Sequence, residues 1–84
     1  MKTIGLLGGM SWESTLTYYK ELNQGIKKKL GGLHSAKIVL YSVDFSEIEE
    51  LLSQENWHEL AGILSKGAKN VELAGADFLM ICTN

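Results

Sequence analysis

The sequence predicts an α/β fold: a three-layer, doubly wound parallel sheet, built β-α-β-α-β with strand order 2-1-3. Three observations carry this expectation. Apolar runs of strand length stand near residues 3–7, 36–43 and 77–82. Segments with apolar residues three and four apart lie between them, which is helical spacing. Glycines punctuate the boundaries at Gly8-Gly9, Gly31-Gly32 and Gly75. Strands alternating with amphipathic helices imply parallel pairing through right-handed crossovers.

The first strand, Thr3 to Leu7, is apolar throughout, as suits a parallel strand covered on both faces. Gly8 and Gly9 then allow a tight turn or a close approach to a ligand. A helix follows, with Ser11 in the position of an N-cap and Glu13 in its first turn. Trp12, Leu16, Tyr19, Leu22 and Ile26 form its apolar face. Lys27, Lys28 and Lys29 stand in the last turn, where cations complement the carbonyl end of the helix dipole.

The second strand spans residues 36–43 and is rich in β-branched and aromatic side chains. Asp44 and Glu47 have capping-box spacing and open a short helix through Ile48, Leu51 and Leu52. Glu47, Glu49 and Glu50 read as its exposed side. Residues 53–56 are a break. A longer helix carries Trp57, Leu60, Ala61, Leu64, Ala68, Val71 and Ala74 on one face and ends at Gly75. Both tryptophans read as anchors between helix and sheet. The third strand is Asp77 to Cys82.

Composition narrows the function classes. The 84 residues are 45% hydrophobic and 21% charged, ordinary for one small globular domain. Net charge is −2 and there is no arginine, so the basic face and guanidinium forks of a nucleic-acid binder are missing. No apolar run reaches the length of a membrane span, and the N-terminus has no signal-peptide pattern. One cysteine and two separated histidines make no zinc pattern. A lone thiol fits a reducing cytoplasm.

If the two crossovers wind in opposite directions, a crevice opens between the carboxyl ends of strands one and three, where ligands bind in open α/β sheets. Gly8, Gly9, Met10 and Ser11 line one side; Cys82, Thr83 and Asn84 line the other. The first loop meets a helix N-terminus, which favours an anion. Its glycines fit neither the dinucleotide pattern G-x-G-x-x-G nor a P-loop, and a carboxylate suits it as well as a nucleotide. Met10 is a core plug or a pocket wall. Cys82 is either a small core residue or a partly exposed thiol whose pKa a following helix N-terminus lowers. Thr83 and Asn84 could donate hydrogen bonds to a substrate. His34 and His58 read as surface or capping residues.

Residues 5–15 (GLLGGMSWEST), then Tyr18, Tyr19 and Asn23, closely resemble the start of aspartate/glutamate racemase family proteins. Residues 30–36 (LGGLHSA), 42–45 (SVDF) and 47–49 (EIE) continue the likeness, and Cys82-Thr83-Asn84 is similar to the family's first catalytic cysteine motif. The likeness covers nearly the whole chain, and it is strongest to the broad-specificity amino-acid racemases. It implies a racemase without pyridoxal phosphate or other cofactor. In that family two cysteines face each other across the substrate α-carbon, one taking the proton and the other returning one. By this resemblance Cys82 is one acid/base, Thr83 and Asn84 help hold an amino-acid substrate, and the loop at Met10 and Ser11 lines the pocket. Family members are about two such domains long, with the second cysteine in the later half. The resemblance therefore implies that residues 1–84 are a partial N-terminal domain, inactive alone. A small-anion-binding or partner-dependent non-catalytic fragment is the alternative. Uncovered apolar surface would favour a homo-oligomer.

Overall fold

The computed structural model describes residues 1–83. Six elements follow in order: β1 (Ile4–Gly8), α1 (Trp12–Leu30), β2 (Ile38–Ser42), α2 (Phe45–Ser53), α3 (Trp57–Leu73) and β3 (Phe78–Ile81). The strands form one parallel sheet in the order β2-β1-β3. The expected fold class and strand order are found, and the second crossover is a pair of helices.

β1 is central because it can be buried on both sides. Leu6 is 0% and Leu7 1% exposed. Strand alternation assigns these neighbours to opposite faces. In register, Leu6 lies with Leu40 and Met80, and Leu7 with Tyr41 and Ile81. Helix α1 meets the first of these faces: a Cβ added to Gly8 would lie 2.5 Å from the Thr15 hydroxyl oxygen. Helix α3 meets the second: a Cβ on Gly67 would lie 2.8 Å from Leu7 Cδ1 and 3.0 Å from Tyr41 Cδ1. Gly5 likewise admits the buried Val71 of α3. Helices on opposite faces are the structural signature of reversed winding.

The helix ends follow local chemistry, with one correction. Asp44 caps α2 by accepting the Ser46 N–H at 3.1 Å, and Asn56 caps α3 by accepting the Glu59 N–H at 3.3 Å. Gly31 ends α1 with φ +74° while its N–H returns to the Lys27 carbonyl at 2.7 Å. Ser11 stands at the N-cap position of α1, but its side chain makes no capping bond. Its φ of 67° and ψ of 92° are not the extended geometry from which a serine hydroxyl reaches the helix N–H groups. The Ser11 carbonyl instead accepts the Ser14 N–H at 3.1 Å.

The apolar stripes are only partly covered. Trp12 is 65% and Trp57 59% exposed, so neither is the packing anchor expected from periodicity. Leu16 and Tyr19 are exposed as well. β2 is an edge strand, so among the described residues no further strand lies beside it to extend the sheet under this part of α1. Trp12, Leu16 and Tyr19 line an open apolar groove of about 330 Å³ with Leu40. A second groove, of about 610 Å³, runs between α3 and the outer side of β3, where Phe78 and Leu79 are exposed. Among the described residues, no helix is long and apolar enough to cross a membrane.

Candidate functional site

The carboxyl ends of β1 and β3 lie side by side, and the residues singled out from the sequence gather there. The first wall is the turn after β1. The Gly8 carbonyl accepts the Val43 N–H at 2.9 Å, which carries the β1–β2 ladder one step past the strands. Gly9 then turns with φ +90°, against the backbone of Val43. Its N–H donates to the Thr15 hydroxyl at 2.9 Å in a buried bond. Thr15 is 4% exposed and sits in the apolar stripe of α1, between Trp12 and Tyr19. A hydroxyl residue in such a stripe was the available signal for this role, and periodicity alone passes over it.

Met10 and Ser11 follow, both half-buried. Ser11 holds a positive φ, a costly backbone state for a residue with a side chain, and such states cluster at ligand-binding turns. Directly after it, α1 presents its first N–H groups and the positive end of its dipole. This loop can hold a carboxylate.

The second wall is the end of β3. The Cys82 N–H donates to the Leu7 carbonyl at 2.9 Å, so Cys82 extends the β1–β3 pairing one residue beyond Ile81. Strand alternation puts Cys82 on the face of Leu6, Gly8 and Met80, which is the face α1 covers. Thr83 is exposed, and its carbonyl accepts the Tyr18 hydroxyl at 3.1 Å. Asn84, expected to bind substrate, lies outside the described residues. His34 and His58 are exposed and far along the chain from these walls. Among the described residues, no group of three His, Cys, Asp or Glu side chains could hold a metal ion.

Of the two readings of Cys82, its burial is that of the small core residue and not of the partly exposed, acidified thiol. Cys82 is 0% exposed, and burial pushes its pKa above the ordinary 9.0. Desolvation penalises the thiolate, and it outweighs any nearby dipole here. At neutral pH the thiol therefore keeps its proton.

This has a consequence for stability. The unfolded thiol ionises near 9.0 and the folded one higher. Its contribution is thus fully present below pH 9.0 and is lost as pH rises through the folded value. Urea midpoints for the parent chain and Cys82→Ala, taken from pH 7 to 10.5, should converge at the alkaline end. Parallel curves would show that the thiol is not held in its neutral form.

The pattern of the Asp/Glu/hydantoin racemase family matches residues 7–84. The crystal structure of a candidate Asp/Glu racemase from Yersinia pestis superposes on the whole chain with a TM-score of 0.97 and 56% identity. That of an aspartate racemase homologue from Pyrococcus horikoshii OT3 does so with a TM-score of 0.89 and 34% identity. The chain spans 36% of the length of each of these structures.

Proposed function

The chain belongs to the Asp/Glu/hydantoin racemase family, and from that premise we propose that it supplies one half of the site of an amino-acid racemase working without pyridoxal phosphate. The observation that carries this reading is the placement of Cys82, the sole cysteine, at the carboxyl end of β3 beside the Gly8–Gly9 turn. On this reading residues 1–84 are the N-terminal part of a longer protein, and the cytoplasm suits its unpaired thiol.

The chemistry is inversion at a carbon bearing an acidic hydrogen. A thiolate on one side removes the α-proton: the C–H bond breaks, an S–H bond forms, and the electron pair delocalises into the substrate carboxylate. A thiol on the other side delivers its own proton to the opposite face. The two sulfurs end with exchanged protonation states, which suits them for the reverse reaction. Cys82 is one of these sulfurs, and the other comes from outside these 84 residues. The helix start at Met10 and Ser11 receives the substrate carboxylate, and Thr83 and Asn84 orient the amino acid. The loop donors also stabilise the charge that builds on the carboxylate as the proton leaves. Cys82 must shed part of its burial penalty to act as a base near neutral pH. Closure of the second half over the crevice, with its own donors, would supply that. This half has no arginine, and so no guanidinium here to fix a side-chain carboxylate.

The test is incubation of the purified chain with single enantiomers in deuterated water. The expected result is no formation of the opposite enantiomer, with deuterium uptake at most on one face. Inversion by the 84 residues alone would end the two-thiol reading.

A further inference from the structure

The geometry points to Tyr18 as a positioning residue that ties the segment after Cys82 to α1 and so sets the approach to the thiol. This rests on the reading of Cys82 as an acid/base group. Strand β3 is pinned at its two ends in different ways. At its start, Asp77 and Thr3 form a reciprocal pair: the Thr3 N–H donates to the Asp77 carboxylate at 2.7 Å, and the Asp77 N–H donates to the Thr3 carbonyl at 2.8 Å. At its end the backbone tie is the Cys82–Leu7 bond, and just beyond it the Tyr18 hydroxyl holds the Thr83 carbonyl at 3.1 Å.

Tyr18 is three residues from Thr15 on α1, so the two side chains share a helix face. Thr15 holds the Gly9 N–H of one wall, and Tyr18 holds the Thr83 carbonyl of the other. One helix face thus carries a hydroxyl for each side of the crevice. The Thr15 bond is buried, whereas the Tyr18 bond is exposed to water. The Thr83 wall is therefore the one that can release. With the latch made, Cys82 is covered; with it broken, the strand end is held by backbone bonds alone.

The experiment is alkylation of Cys82 in the purified chain by iodoacetamide, followed from pH 7 to 10.5. Tyr18→Phe keeps the ring and removes only the donor. It should raise the alkylation rate by roughly 3- to 10-fold, the scale of one lost hydrogen bond. It should also move the half-point of the pH profile down toward 9.0, because the released thiol is better solvated. The control is Asn23→Ala, also on α1, which removes the bond from the Ala36 N–H at 2.9 Å. Asn23→Ala should change neither rate nor half-point, and urea midpoints of both variants identify any contribution from global unfolding. An unaltered rate and half-point in Tyr18→Phe, or equal changes in the two variants, would overturn the positioning role. The proposal and the racemase reading fail separately: alkylation needs no turnover, so loss of the racemase reading leaves the thiol result standing.

Discussion

Gly9→Ala is expected to destabilise the chain by about 2–5 kcal/mol. Two costs add at this position. At φ +90° a Cβ is strained whatever the surrounding space, at about 1–2 kcal/mol. The new Cβ would also press into the carbonyl oxygen and amide nitrogen of Val43, and meet the Ser42 hydroxyl at 2.7 Å. Backbone cannot swing away as a side-chain end can, so overpacking adds about 1–3 kcal/mol. A domain of this size has roughly 4–13 kcal/mol of stability in all. The sum removes most of the lower figure, and it strains the turn whose N–H meets the Thr15 hydroxyl. Gly25→Ala makes the contrast. Gly25 lies inside α1 with nothing within 4 Å of an added Cβ, so alanine should stabilise by roughly 0.5–1 kcal/mol. Urea midpoints should move in opposite directions for the two variants. A shift of the same sign in both would show that the turn is not as tight as its geometry states.

The contrast between these glycines marks what a sequence can and cannot disclose. The strands were legible because each apolar run is bounded by glycine or a polar break. The reversal of winding had to be assumed, and it is carried by contacts that no pattern reveals: Thr15 against Gly8 on one face, Gly67 against Leu7 on the other. Periodicity told which side of α1 and α3 is apolar, but not what lies over it, so Trp12 and Trp57 were misplaced into a core they do not reach. Asn56 stands three residues before Glu59, the same spacing that identified Asp44 and Glu47, yet inside a run of polar residues it read as mere loop. At the site, the convergence of the glycine turn and Cys82 was legible from topology. Sequence left the thiol between core and rim, because strand-end position predicts direction along the sheet and says nothing of what α1 covers. Tyr18 stayed hidden for a related reason. Its partner is a backbone carbonyl 65 residues away, and backbone acceptors carry no sequence signature.

Cys82→Ser should lower racemisation by about 10²- to 10⁴-fold, the usual worth of a positioned acid/base group. On the two-thiol reading the assay needs a second thiol from outside these 84 residues, so it uses a chimaera: these 84 residues joined to the part of the Yersinia pestis protein that the match leaves uncovered. The 56% identity and TM-score of 0.97 over the shared part make such a joint structurally conservative. Serine is nearly the size of cysteine, so the loss cannot be assigned to packing, but its hydroxyl ionises far above any thiol. It fails as a base outright and is a poor acid. The loss should fall on kcat, with KM little changed, because on the proposed reading the helix start and the polar strand end would still receive the substrate. Isotope exchange then separates the roles. The remaining thiol can still remove the α-proton of one enantiomer and return a deuteron to the same face, so washout should persist for that enantiomer and vanish for the other. The enantiomer that loses exchange is the one whose proton Cys82 removes, which fixes the face of the substrate that β3 serves. Equal residual exchange of both enantiomers would assign the proton transfers to groups other than Cys82.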